Sequence, residues 1–367
     1  MSEPRSPHSG TEVSVLVVTH NEADDLLACL TAVRAQDHRP LSLVVVDCAS
    51  HDASVAIARA AELGDVPKMV IEAGANLGFA GGMNLGLRHT DAPYVLTLNA
   101  DVRLERHYIA RLLEHLRDPA RRIAAATGRL LRFAEPGAGD RIDACGMRLT
   151  RSWRHLDRGA DDQDHGQYAR SERVFGATGA AALFARAALD DVRFPPQLAP
   201  GYPEGAVFDP DFFAFREDAE LCFRLQSRGW HVIYEPSAHA RHRRLNLPKR
   251  RRAMPARINL HGVKNRFLLR AYHQTLANAL RHALPTLTRD LLVLGYVLIR
   301  ERSSLDAFAW LWCHRRTILA RRRHIRRRRT TGVEVWFRTQ ALPLDDSGGQ
   351  RQEAPALGPR EPGRRQP

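Results

Sequence analysis

The chain predicts an α/β fold, a mostly parallel, mixed sheet with helices on both faces, followed by a helical C-terminal region. Apolar and β-branched runs alternate with apolar residues at helical spacing through the first hundred positions. Each of the early strand-like runs also ends in polar, oxygen-bearing residues, where open α/β sheets bind their ligands. The length of 367 residues leaves room for roughly two domains, and a hydrophobic fraction of 44% is ordinary for a soluble globular chain.

Val13 to Val18 is a β-branched run, followed by the loop Thr19-His20-Asn21-Glu22 and by Leu26, Leu30 and Val33 at helical spacing. Leu43 to Val46 forms a second strand ending at Asp47, with Ser50 and Asp52 in the loop and a helix over Ala53–Leu63. Lys68 to Ile71 precedes the glycine-rich run 74–82, after which a helix is predicted over Met83–His89. Tyr94 to Asp101 then reads as a buried strand delivering Asn99 and Asp101 at its carboxyl end. From Ile123 the pattern shortens and includes a polar, mobile stretch over Asp157–Gln167. A helix at Asp218–Arg228, a strand at Trp230–Tyr234, the loop 235–242 and helices from about Ile258 to Arg281 follow. The predicted organisation is a disordered 1–12, an α/β domain over 13–255 divided at residue 101, a basic helical region over 256–340, and a disordered tail over 341–367.

A formal net charge of +14 favours a polyanionic neighbour. Its basic runs fall late, at Arg241–Arg244, Lys249–Arg252 and 315–329, so the charge belongs to a C-terminal face. No recognised nucleic-acid module accompanies it, and a basic nucleic-acid-binding protein is a disfavoured class. Five cysteines without a CxxC pair suggest neither a zinc knuckle nor a disulfide framework, and fit a reducing cytosol. Met1–Glu12 resembles no signal peptide, and Leu291–Ile299 is shorter than the ~20 residues a spanning helix needs.

Several residues bear chemistry. Asn99 and Asp101 suit a hard divalent cation carrying phosphates, or else simply turn the chain. Asp47 is placed to accept a hydrogen bond from a base or ribose, or to join Ser50 and Asp52 in a helix N-cap network. The glycine-rich run lacks the lysine of a P-loop; Asn76, Gly81 and Asn84 are candidates to line a diphosphate or sugar pocket at a helix N-terminus. Glu217 and Asp218 arrive together at a helix start behind Phe212, Phe213 and Phe215, where a carboxylate can serve as general base. The alternative there is a capped helix with a Glu220–Arg224 pair. An imidazole from 235–242, His242 in preference to His239, would complete a metal site.

With these residues in view, the chain resembles glycosyltransferase family 2, within the GT-A fold, and most of all its rhamnosyltransferase-like branch, from Val13 to about Arg270. The resemblance rests on segments 17–21, 46–54, 76–86, 98–101, 176–181, 212–218 and 264–266, in order. It implies a nucleotide-sugar-binding half over 13–101 and an acceptor half over 102–255. Thr19, Asn21, Asp47 and Asp52 would hold the donor nucleotide, with Asp47 facing a pyrimidine. Asp101 would bind Mg²⁺ or Mn²⁺ as the second acid of an Asp-x-Asp signature whose first place is Asn99. His242 would be a late metal or diphosphate ligand, Asp218 the catalytic base and Glu217 its acidic neighbour. His20 and Cys48 depart from the family's usual residues and bear on donor identity. The implied activity is inverting transfer of a sugar, rhamnose favoured, to a glycan or polyprenyl-linked acceptor in cell-surface polysaccharide synthesis. A glycoside hydrolase also uses two carboxylates but needs no diphosphate-handling cation, and a nucleotidyltransferase would carry its glycine-rich loop at the first strand. The implied location is cytoplasmic, peripheral on the inner face of the membrane. The helices after 285 either lie on that anionic surface, in which case a cut near Pro285 would release the chain, or pack on the domain or in a homodimer contact.

Overall fold

In a computed structural model, residues 10–133, 139–244 and 255–344 are described. The predicted basic run 249–252, residues 1–9 and the tail 345–367 lie outside them. Strands β1 (Val13–Thr19), β2 (Leu41–Asp47), β3 (Lys68–Glu72) and β4 (Tyr94–Asn99) run parallel in the order β3-β2-β1-β4. They are joined by α1 (Ala23–Arg34), α2 (Ser54–Ala60) and α3 (Gly78–Leu87). Side-chain alternation divides the sheet into two layers: Val13, Val15 and Val17 face Leu26 and Leu30 of α1, whereas Leu16 faces Met83 and Leu87 of α3.

Helix α3 begins five residues earlier than predicted, because most of the glycine run belongs to the helix rather than to a ligand loop. A Cβ on Gly82 would stand 2.7 Å from Val18 Cγ1, and one on Gly81 would stand 2.8 Å from Leu77 Cβ. The glycines let the helix lie close against β1 and its own surroundings, at the cost of helix propensity.

After β4 the chain forms β5 (Val102–Leu104), α4 (Tyr108–Leu116), β6 (Ile123–Arg132), β7 (Ile142–Ala144), β8 (Met147–Leu149), β9 (His155–Asp157) and β10 (Glu172–Val174). β11 (Ala181–Ala185), α5 (Arg186–Asp191), α6 (Glu217–Ser227) and β12 (His231–His242) follow. β11 is antiparallel to both β4 and β6, and β12 runs parallel to β6, giving the mixed, mostly parallel sheet the sequence predicted. The expected loop 235–242 is instead the second half of β12, which passes an irregularity between Glu235 and His239 and pairs with β5. The stretch predicted mobile over 157–167 is tied down: Arg129 binds Asp164 at 3.1 Å, Arg132 binds Asp161 at 2.8 Å, and Arg141 bridges Gln163.

The C-terminal region folds as α7 (Ala256–His273), α8 (Leu276–Arg281), α9 (Ala283–Arg300), α10 (Asp306–Cys313) and α11 (Arg315–Arg328). Ile318, Ile325, Trp336 and Phe337 share one buried cluster with Trp153, Phe175 and Phe223, so this region packs on the α/β domain. Residues 341–367 are not tail throughout: β13 (Ala341–Pro343) adds an edge strand to β10. At the other end, Glu12 bonds the Pro40 carbonyl and pairs with Arg117 at 3.0 Å. No described helix is long and apolar enough to cross a membrane.

Candidate functional site

The carboxyl ends of β1, β2 and β4 open on one edge, and the pairing of β5 with β12 brings the late histidine to it. Val102 is opposite His242, and His242 Nε2 lies 3.2 Å from Asp101 Oδ1. The other ring nitrogen meets Asp143 of β7 at 2.7 Å, and Arg244 bonds both Asp143, at 2.8 Å, and Asp157 of β9, at 2.6 Å. Asp101, His242, Asp143, Arg244 and Asp157 thus form a continuous chain of alternating charge. Burial alone would lower His242, but Asp101 and Asp143 outweigh it and hold the imidazole at about 9. Glu22, at the start of α1, is pushed up to about 7 by burial and by the charge of Asp101. Glu22, Asp143 and Asp157 were not singled out from sequence. A carboxylate between two apolar residues, as in Ile142-Asp143-Ala144, is the signal that Asp143 offered.

The predicted base sits at the end of a strained loop. Phe213, Phe215 and Arg216 have φ of +62°, +68° and +75°, unusual for residues with large side chains. Phe213, with ψ of −67°, closes a rare γ-turn in which Ala214 N–H donates to the Phe212 carbonyl at 2.7 Å. The loop ends on α6, whose second residue is Asp218. Asp218 Oδ2 accepts from Gly179 N–H at 3.1 Å, and Oδ1 from Ala219 N–H at 2.7 Å. Burial raises the Asp218 carboxyl and the charge of Asp157 adds to it, against those two hydrogen bonds. Glu217 is buried, its Oε2 has no hydrogen-bond partner among the described residues, and burial together with Asp218 raises it well above its ordinary value. Glu220 forms the pair with Arg224 that the alternative reading expects, at 2.6 Å. It is fully buried, it binds Arg224 and His273, and these outweigh burial to hold it at about 2.

The two halves of the site touch through backbone. Asn99 N–H donates to the Ala180 carbonyl at 2.9 Å, and the neighbouring Gly179 N–H is the one bonded to Asp218. Asp101 and Asp218 therefore flank one sheet end.

On the nucleotide side, Thr19 and Asp47 stand opposite each other at the ends of β1 and β2. Asp47 Oδ2 accepts from Ser50 N–H at 3.0 Å, while Oδ1 is buried without a partner among the described residues. A buried carboxylate oxygen left in that state calls for a donor from a ligand. Asn21, exposed at φ +57°, accepts from His51 N–H at 2.7 Å and shapes the same loop. Asn76 accepts from Gly78 N–H at 2.9 Å and stays exposed at the start of α3.

Three expectations change. Both Asp52 oxygens are occupied, by Ala23 N–H and Ser54 N–H at 3.0 Å each, so this residue fixes the starts of α1 and α2. Asn84 is buried and bonds only inward, donating to the Phe208 carbonyl at 2.7 Å and accepting from Val207 and Phe208 N–H. Gly81 is buried against Leu77 and Tyr202 rather than lining a pocket.

The donor set suits a hard divalent cation in part. No three His, Cys, Asp or Glu side chains form a cage among the described residues. Mg²⁺ and Mn²⁺ sites that also hold substrate phosphates need only one or two protein ligands; the Asp101 carboxylate would be one, and the His242 imidazole, now paired with Asp101 at 3.2 Å, would be a second only once its Nε2 proton has left. Asp143, on the far ring nitrogen, provides the outer-shell support typical of ligating histidines.

Residues 14–193 match the sequence model described as glycosyl transferase family 2. No curated protein matches the chain. Among solved structures, it is similar to S. aureus TarS, with 14% identity and a TM-score of 0.50 over 81% of this chain and 47% of TarS. It is also similar to the mannosyltransferase PcManGT from Pyrobaculum calidifontis in complex with GDP-Man and Mn²⁺, with 22% identity and a TM-score of 0.46 over 83% of this chain and 75% of that one. At such identities the likeness is one of fold.

Proposed function

We propose, with the chain a member of glycosyl transferase family 2 through residues 14–193, that it is an inverting enzyme moving a sugar from a nucleotide diphosphate donor to an acceptor hydroxyl. Rhamnose is the favoured sugar, and a glycan or polyprenyl-linked molecule of cell-surface polysaccharide synthesis the favoured acceptor, met at the cytoplasmic face of the membrane.

The observation that supports this reading is the backbone bridge from Asn99 through Ala180 and Gly179 to Asp218, which joins the segment of Asp101 to that of the proposed base. Asp47, with its open Oδ1, accepts a hydrogen bond from the base or ribose, and the Thr19–Asn21 loop borders the same nucleotide. Asp101 and His242 would hold Mg²⁺ or Mn²⁺, whose charge offsets that of the departing diphosphate. Asp218 takes the proton of the acceptor hydroxyl as its oxygen bonds the anomeric carbon and the carbon–diphosphate oxygen bond breaks on the opposite face. A single displacement of this kind inverts the carbon. Burial and the neighbouring Asp218 raise the Glu217 carboxyl well above its ordinary value, which disfavours a second negative charge beside the proposed base.

Asp218→Asn tests the assignment. It is expected to retain nucleotide-sugar binding, read as thermal stabilisation with Mn²⁺ present, while kcat falls by about 10²- to 10⁴-fold. Near-normal turnover by that variant refutes the role. The same stabilisation measured across dTDP-, UDP- and GDP-sugars identifies the donor, and a dTDP-rhamnose response below the others removes the rhamnose reading.

A further inference from the structure

We infer that the outer face of α8 and α9 is a docking surface for an anionic lipid bilayer. Leu276, Leu280, Leu284, Leu287, Leu291 and Leu298 recur at three-, four- and seven-residue intervals, so they form one stripe along the helices. The first five expose 76%, 71%, 78%, 60% and 68% of their surfaces, and Leu292 and Ile299 beside them expose 61% and 75%. A contiguous apolar face of this extent marks an interaction surface rather than scattered exposed leucines. The 18 residues of α9 extend about 27 Å at the helical rise, and no described helix is long and apolar enough to span a bilayer. Such a helix pair lies in the interface plane.

Charge selects the occupant. The exposed ionic side chains between 276 and 302 are Arg281, Arg300 and Arg302, and the exposed Asp306 follows at the start of α10. The single carboxylate between 276 and 300, Asp290, is turned inward, where it accepts from Arg266 at 2.8 Å and pairs with Arg270. A second copy of the face would bring arginine to arginine: antiparallel pairing sets Arg281 near Arg300, and parallel pairing sets each against itself. No exposed carboxylate on the stripe is available to offset that repulsion. A bilayer accepts leucines in any register, and anionic headgroups accept the guanidinium groups at the rim. The face is also linked mechanically to the cleft. Asp290 holds Arg266 of α7, and the adjacent Asn265 donates to the carbonyls of Phe212, Ala214 and Phe215 in the loop that carries Asp218. Docking would orient that cleft toward acceptors embedded in the membrane.

The test is co-sedimentation of the full chain with vesicles of phosphatidylglycerol and phosphatidylcholine, or of phosphatidylcholine alone, at low and high salt. The wild type is expected to bind the anionic vesicles, with binding weakened by salt. The triple variant Leu284→Glu, Leu287→Glu, Leu291→Glu is expected to lose about tenfold or more in partitioning, and Arg281→Glu with Arg300→Glu to lose binding and its salt dependence together. All five side chains are exposed, and unchanged circular-dichroism melting verifies the fold; if the triple variant melts early, Leu284→Glu alone serves as the reading. Failure of the wild type to bind, equal binding to neutral vesicles, or binding undiminished in the leucine variant overturns the proposal. So does a wild-type dimer by light scattering that the leucine variant converts to monomer, which would assign the face to a second copy. Donor-sugar hydrolysis in vesicle-free buffer is measured in parallel; its absence counts against the sugar-transfer reading and leaves the docking result intact.

Discussion

Two adjacent carboxyl groups at the start of α6 stand in different surroundings. Glu217 is buried with an unbonded oxygen, while Asp218 accepts two backbone hydrogen bonds and is half-buried. A folded-state value raised above the unfolded one means that the native chain holds the extra proton, so the stabilising effect is complete at low pH and fades as pH rises through the folded value. Glu217→Gln keeps the neutral shape without the titration. Its Tm is therefore expected to fall less than that of the wild type as pH rises from about 4.5 toward neutrality; parallel curves would show that Glu217 ionises freely. For Asp218 the same upward direction bears on rate. As the base it acts deprotonated, so kcat is expected to rise with pH along a limb centred above the ordinary carboxylate range, a limb absent in the residual activity of Asp218→Asn. Asp101 and Asp218 could be singled out in the sequence because each lies beside the boundary of a strand or helix whose apolar pattern is plain, whereas His242 was expected in a loop and stands at the end of β12. Asp143 and Asp157 could not be, because their importance comes from Arg244 and His242, about 85 to 100 residues away along the chain. Asn84 and Asp52 were misread for the converse reason: nothing local shows that their polar atoms are occupied by backbone.

At the scale of elements, the loop over 212–216 holds its left-handed residues only because its neighbours fix it. Lys264 of α7 donates to the Asp211 carbonyl, and Asn265 donates to three loop carbonyls at 2.8 Å each. From the other side the Phe213 carbonyl accepts from Ala80 N–H of α3 at 3.2 Å, over Gly78. Asn265→Ala removes the shared donor, and is expected to lower stability by about 1–3 kcal/mol. Its kcat should drop further than donor affinity, since α7 supports the base rather than the nucleotide; equal losses in both would point to general unfolding. Gly78→Ala is expected to be the harsher change, because Gly78 sits at φ +66° and a Cβ there would stand 2.4 Å from the Phe213 carbonyl. Its measure is a loss of kcat with a lowered Tm, and a variant indistinguishable from wild type would show that the loop is not wedged against α3. The sequence pattern marked this glycine run as special but assigned it to a ligand. Glycines that admit a ligand and glycines that admit a neighbouring strand look alike until the neighbour is known.

Across the whole molecule, the C-terminal helices are part of the core. Arg321 of α11 is buried between Asp209, at 2.8 Å, the Tyr272 hydroxyl, at 3.0 Å, and Asp211, and so anchors the last helix to the segment leading to the catalytic loop. Charge runs read as a solvated or membrane-bound face could not reveal that one arginine among many points inward, since its acidic partners lie more than a hundred residues earlier. This changes the consequence of a cut near Pro285. Such a truncation removes Ile318, Ile325 and Trp336 from their cluster and Arg321 from Asp209 and Asp211, and is expected to yield an aggregating chain rather than a released, soluble protein. Arg321→Ala poses the question with less damage. Burial raises Asp209 to about 6 even though Arg321 opposes it, so removing the guanidinium leaves a buried carboxylate with no compensating charge. The expected loss at neutral pH is about 3–5 kcal/mol. Asp209 can escape that cost by taking a proton, so the deficit should shrink as the pH falls from 7 toward 4. Urea unfolding of variant and wild type at both ends of that range measures it, and a deficit that stays constant with pH would show that Arg321 acts through packing alone.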